Sequence, residues 1–215
     1  MFFKSRLIQE VNNGGVFIFN LDRISAVIFD LDDTLVNTAL DFAAIKQAIG
    51  CPSSHDILSF ADALPTAEKR EKAHQIILQH ELDDAASSVW IDGAEEFVLS
   101  VQAAKLPSAI VTRNCRRATA LKLKNNNIDI DTVITREDAP PKPDPTALLR
   151  IADSWSLAPA EIAYIGDYKY DIFAAHNAEM QAWLYTKPTT PRQYAKCLQR
   201  IHKNNPLFQQ ENAKT

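Results

Sequence analysis

Glycine is scarce, with 5 in 215 residues, and neither GxGxxG nor GxxxxGK followed by Ser or Thr occurs. That disfavours a dinucleotide-binding or P-loop protein, whose phosphate loops need glycine for close backbone approach. Cysteine is rarer still. Cys51, Cys115 and Cys197 are odd in number and follow no metal-ligand spacing. They form no disulfide framework, and a reducing, cytoplasmic setting is expected. No apolar run approaches the roughly 18 residues a membrane helix needs. Met1 to Glu10 carries two early phenylalanines but no sustained apolar stretch, so no signal peptide is expected either. The 27 acidic and 23 basic side chains leave a net charge of −4, which argues against a nucleic-acid partner. The five histidines are scattered and form no ligand pattern.

What is there describes a globular chain. Apolar residues make up 46% and charged ones 23%, which excludes a disordered protein. The length suits one domain with a sizeable insert, with a core able to stand without disulfides.

Residues 1–22 read as an N-terminal extension, with a turn at Gly14-Gly15 and an apolar run from Val16 to Phe19. Ile24 to Phe29 reads as a buried strand that ends abruptly in Asp30-Leu31-Asp32-Asp33. Residues 37–91 then turn helical. Thr38 is the expected cap of a helix with Phe42, Ile45 and Ile49 on its apolar face, and Gly50-Cys51-Pro52 stops it. A short helix at 56–63 follows, and Pro65-Thr66 opens a longer one. From residue 92 to 186 helices and strands alternate. Helices are expected at 94–105, 116–125, 146–154 and 170–177, and strands at 107–111, 132–134, 162–165 and 182–185. Such alternation implies right-handed βαβ units and a doubly wound parallel α/β sheet, Rossmann-like, formed by 23–36 with 92–186. The helical insert 37–91 would be a cap on that core, and 187–215 a helical tail.

In a doubly wound sheet, ligands bind beyond the carboxyl ends of the strands, and that is where the reactive side chains fall. Asp30 and Asp32 follow the first core strand. If the strand continued, i and i+2 would share a side, and two close carboxylates call for a cation or a shared proton. Magnesium, which prefers oxygen ligands, with a substrate phosphate is one solution; a polar strand end with a turn is the other. Asp167 follows a later strand and Asp171 falls in the next helix's first turn, where the dipole favours an anion whatever its role. Thr112 ends a strand, with Asn114 two residues on; this is either a phosphate-holding turn or a helix cap. Arg113 between them reaches either a substrate anion or a surface partner. Lys142 stands in the stiff stretch Pro140-Pro141-Lys142-Pro143.

Taken together, Asp30-Leu31-Asp32-Asp33-Thr34, the strand ending at Thr112, Lys142 between prolines and Gly166-Asp167-Tyr168-Lys169-Tyr170-Asp171 resemble the haloacid dehalogenase-like hydrolase superfamily. The resemblance runs over residues 24–186, and the insert after the first motif resembles the phosphoglycolate phosphatase and β-phosphoglucomutase branch. It implies a phosphatase acting on a small phosphorylated metabolite. Asp30 would be the nucleophile that forms an aspartyl-phosphate, and Asp32 the acid and base. Thr112 and Lys142, with Arg113 and Asn114 nearby, would hold the phosphoryl group. Asp30, Asp167 and the backbone carbonyl of Asp32 would hold Mg2+, with Asp171 a metal ligand or the partner that orients Lys142. The dehalogenases of the superfamily lack an aspartate two residues after the nucleophile, so Asp32 favours phosphate chemistry. A phosphomutase of the same fold, a catalytically silent binding protein and a phospho-accepting receiver module are the competing readings. The last lacks support here, since Ile134 is followed by Thr135 rather than an acceptor aspartate. Two residues depart from the family pattern. Tyr168 stands where Ser or Thr is usual, and Glu179 where Gly is frequent. If Glu179 needs a left-handed backbone, the preceding helix is expected to end differently.

Overall fold

Every residue of Ala26–Phe29 has zero exposure, as a strand covered on both faces requires. In the computed structural model, which describes residues 10–12, 15–17, 19–188 and 193–205, this segment is β3, an inner strand of a six-stranded sheet. A separate antiparallel hairpin, β1 (Glu10–Asn12) and β2 (Gly15–Phe17), precedes it; Gly14 of the expected turn lies outside the described residues. The other strands are β4 (Ser108–Val111), β5 (Thr132–Ile134), β6 (Ile162–Gly166), β7 (Gln181–Tyr185) and β8 (Leu198–Ile201), in the order β5-β4-β3-β6-β7-β8. The first five in that order run parallel, and β8 closes the edge antiparallel to β7.

The strand order reverses at β3, which pairs with β4 on one side and β6 on the other. A parallel sheet leaves a crevice at such a point. The pleat sorts the side chains. Ala26 and Ile28 of β3, Ala109 and Val111 of β4, and Ile162 and Tyr164 of β6 share a core with α6 (Thr146–Trp155) and α7 (Lys169–Asn177). Aromatic rings mark the opposite core. Phe97 of α4 (Ala94–Ala103) meets Phe19, Phe29 and Tyr194 at centroid distances of 5.4, 6.1 and 5.1 Å.

The chain divides into two units. One holds the described residues through Asn37, Trp90–Arg113 and the described residues from Asp129 on; the other holds Thr38–Val89 and Asn114–Ile128. The second unit is all helical: α1 (Phe42–Ile49), α2 (Ile57–Asp62), α3 (Ala67–Ser87) and α5 (Arg116–Asn125). Ile45, Ala61, Ala73 and Ile77 form one apolar cluster in it, and Ala85, Cys115 and Ala118 another. Lys122 of α5 is fully buried and reaches Asp84 of α3 at 2.6 Å.

Three local expectations are corrected. Thr38 does not cap α1; Asp41 does, its carboxylate accepting from the Ala44 N–H at 2.9 Å. The Thr38 hydroxyl instead donates to Asp84 at 3.0 Å. Among the described residues of the tail there is no α-helix: a 3-10 turn, Tyr194–Cys197, leads into β8. Leu198 and Ile201, apolar at i and i+3, fit a helix or a strand, and the open edge of β7 decides, because pairing there satisfies both backbones. Glu179 adopts the left-handed conformation, φ +59°. The helix ends there as it would with glycine, with the Met180 N–H donating back to the Ala175 carbonyl at 2.8 Å.

Candidate active site

The same pleat that buries Ala26 and Ile28 would carry Asp30 to their side, just beyond the last paired residue of β3. Asp30 is 7% exposed, and its backbone N–H donates to the Ile165 carbonyl of β6 at 2.8 Å. The strand stops at Phe29, however. Leu35 and Val36 donate back to the Leu31 carbonyl at 2.8 and 3.0 Å, and Asp32 forms an isolated bridge with Val36. Strand alternation therefore ends with Asp30 and does not run on to Asp32, which is half-buried.

Lys142 enters ahead of α6, in a proline-bound stretch where the Lys142–Pro143 peptide is cis. It is 4% exposed. Its ammonium donates to Asp30 Oδ1 at 2.5 Å and Asp171 Oδ1 at 2.6 Å, and lies 3.0 Å from the Val111 carbonyl and 2.9 Å from the Tyr164 hydroxyl. An ammonium so deep in the protein needs such partners, since desolvation alone would expel or neutralise it.

Asp171 reaches this point because Gly166 makes room. A Cβ on Gly166 would fall 2.3 Å from the Asp171 carboxyl carbon, a distance no real contact shows. Asp171 Oδ2 also accepts from the Tyr168 N–H at 2.9 Å, tying down the first turn of α7. Asp167 is half-buried, and the Thr34 hydroxyl approaches its Oδ1 at 3.5 Å. One carboxylate oxygen from each of Asp30, Asp167 and Asp171 lies within 4.8 Å of the others.

The electrostatics follow from this crowding. Burial pushes the Asp30 carboxyl well above the usual range; Lys142 opposes that, and Asp171 and Asp167 add to it. Burial, then Asp171 and Asp33, raise Asp167 to about 7. For Lys142 burial works downward, but Asp171 and Asp30 outweigh it and the ammonium is held above its ordinary range. Burial, with Asp171 and Asp30 beside it, keeps the Tyr164 hydroxyl protonated. Three carboxylates facing one ammonium leave negative charge uncompensated. An all-oxygen donor set of this kind suits a hard divalent cation such as Mg2+.

Of the residues expected from the sequence, Asp30, Lys142, Asp167 and Asp171 come together. Thr112 is buried directly after β4, its N–H donating to the Ile134 carbonyl at 3.0 Å. The Arg113 guanidinium lies over the Tyr170 ring, 4.8 Å from its centroid. Asn114 is buried and belongs to the helical unit. Asp32 stands outside the three-carboxylate group.

Two tyrosines at the site were not anticipated. Tyr164 looks like core in an apolar strand, although its two-residue spacing from Gly166 was a usable signal. Tyr194, from the tail, is buried against Tyr185 with ring centroids 4.6 Å apart. Its hydroxyl donates to the Thr34 carbonyl at 2.8 Å and so holds the loop that follows Asp30. Nothing local in the sequence marks it.

Comparison with known proteins identifies relatives of the chain as a whole. The family model described as haloacid dehalogenase-like hydrolase matches residues 39–184. A haloacid dehalogenase-like hydrolase domain-containing protein of Arabidopsis thaliana is 28% identical over 163 residues, 71% of this chain and 66% of the relative. A phosphoglycolate phosphatase of Thiobacillus denitrificans is 30% identical over 181 residues, covering 72% of this chain and 80% of the relative. Among solved structures, a hydrolase from Pseudomonas syringae superposes with a TM-score of 0.63 at 25% identity, over 74% of this chain and 82% of the other.

Proposed function

This chain belongs to the haloacid dehalogenase-like hydrolases as a phosphoric monoester hydrolase, and we propose that it is a magnesium-dependent phosphatase that clears a small phosphorylated metabolite through an aspartyl-phosphate. The observation that carries the reading is the Lys142 ammonium, buried and within 2.6 Å of both Asp30 and Asp171 at the switch point of the sheet. A cation held there neutralises a nucleophilic carboxylate at rest and can meet phosphoryl oxygens as charge builds on them.

In the first half-reaction an Asp30 carboxylate oxygen attacks phosphorus in line. The bond to the leaving oxygen breaks, and Asp32 delivers a proton to that oxygen. In the second, Asp32 takes a proton from water. The water oxygen attacks the same phosphorus and releases Asp30 as carboxylate. Lys142 and the Thr112 hydroxyl hold the phosphoryl oxygens throughout, with Arg113 assigned to the substrate's other contacts. Asp30 and Asp167, with the Asp32 carbonyl, would hold Mg2+, which supplies positive charge to the phosphate oxygens when bound. Both oxygens of Asp171 already take protein N–H or O–H groups, which favours its role as the partner that orients Lys142. The substrate class takes support from the name of the Thiobacillus relative. The cytoplasmic setting takes support from three buried cysteines that form no disulfide among the described residues.

Phosphate release from a generic aryl phosphate tests this. Multiple turnover with Mg2+, silence with excess chelator and silence of Asp30→Asn at unchanged folding are expected. An active Asp30→Asn would overturn the covalent mechanism.

A further inference from the structure

We propose that Tyr164 is a positioning residue, whose hydroxyl holds the Lys142–Asp171 pair in register while Lys142 changes partners during phosphoryl transfer; this rests on the phosphatase reading above. The side chain has no exposure. Its ring lies in the core shared by β3, β4, β6 and α7, and its hydroxyl emerges where that core meets the carboxyl end of the sheet. There it lies 2.9 Å from Lys142 Nζ, 3.0 Å from Asp171 Oδ1 and 3.5 Å from the Val111 carbonyl.

The Lys142 ammonium has three N–H donors and faces four oxygens, those of Asp30, Asp171, Val111 and Tyr164. Two are carboxylate oxygens and one is a carbonyl, none of which donates. The hydroxyl both accepts and donates, and its hydrogen is directed to Asp171 Oδ1 or to the Val111 carbonyl, each of which Lys142 also serves. Tyr164 thus supplies the fourth hydrogen that the three obligate acceptors and the incoming phosphate together require. When Asp30 turns to attack and a phosphoryl oxygen takes up a Lys142 hydrogen, Asp171 keeps a donor and the ammonium keeps a neighbour. The ring, locked in packed core, gives this hydroxyl a rigid mount. A phenylalanine at 164 would preserve the packing and remove only this function.

Tyr164→Phe separates positioning from structure. With an aryl phosphate and Mg2+, kcat is expected to fall about tenfold, the scale of one hydrogen bond to a charged group. KM should stay within twofold, and the melting temperature within a few degrees. A second reading needs no turnover: hydrogen exchange of the Lys142 ammonium in 15N-labelled protein, its signal assigned by its loss in Lys142→Met. That exchange should be at least tenfold faster in Tyr164→Phe. An active wild type with Tyr164→Phe at equal kcat would overturn the proposal, as would kcat and KM worsening together with a large fall in melting temperature. A wild type that releases no phosphate refutes the phosphatase reading instead. In that case the exchange decides alone: unchanged ammonium exchange overturns the clamp, and faster exchange upholds it.

Discussion

Replacing Lys142 by methionine removes one charge and leaves the volume nearly intact. The wild-type ammonium lies 2.5 Å from Asp30 and 2.6 Å from Asp171, with side-chain exposures of 4%, 10% and 3% for the three groups. Taking one partner from a buried ion pair leaves uncompensated charge, worth about 3–5 kcal/mol. In a chain of this size 1 kcal/mol moves the melting point by about 2–4 °C, so a drop of roughly 6–20 °C follows. The sign of its pH dependence follows from the carboxyls. Lys142 is held above 10.5, so its contribution is present throughout the neutral range and fades only in strong base. Asp30 is already raised, and Lys142 is the group that draws it down. Without Lys142 the folded variant binds a proton more readily than wild type, so its deficit grows as pH rises. Circular dichroism melts at pH 5 and pH 8 in chelator would show a small gap at the first and the full gap at the second. A gap below about 2 °C at pH 8, or one equal at both pH values, would refute the reasoning.

The other expectations rest on separate residues. Asp167, raised from 3.8 to about 7, makes metal-free protein lose stability as pH climbs between those values. Mg2+ should therefore raise the melting point more at pH 8 than at pH 5, as melts with metal and with chelator will show. Gly166→Ala drives a methyl into the Asp171 carboxyl, and turnover should drop at least a hundredfold, because misplacement of about 1 Å costs that much; an assay beside a melt separates this from unfolding. Glu179→Gly relieves a left-handed side-chain conformation and should stabilise the protein by about 1 kcal/mol, read from denaturant midpoints at unchanged activity.

Much of this molecule was legible locally. Thr132–Ile134 and Arg116–Asn125 form the strand and helix that their patterns predict, since each is bounded by residues that stop the neighbouring structure. Asp30, Lys142, Asp167 and Asp171 could be named because strand ends, proline brackets and a Gly-Asp turn are local signals. Asp32 was harder. The strand's end at Phe29 is set by the Leu31 carbonyl taking two N–H groups from Leu35 and Val36, a turn that two-residue periodicity does not anticipate.

By itself, then, the sequence determined the alternation of strands and helices, the run of helices between Phe42 and Ser87, and the reactive side chains at the carboxyl ends of strands, because hydrophobic period and turn chemistry act over a few residues. The tertiary structure decided what depends on partners far along the chain. Leu198–Ile201 became a strand because the edge of β7 was open to pair with it. Tyr194 bonds Thr34 across 160 positions. Lys142 meets Asp30 across 112, with Tyr164 beneath both. Burial and charge balance at such meetings depend on distances in space that no local pattern encodes.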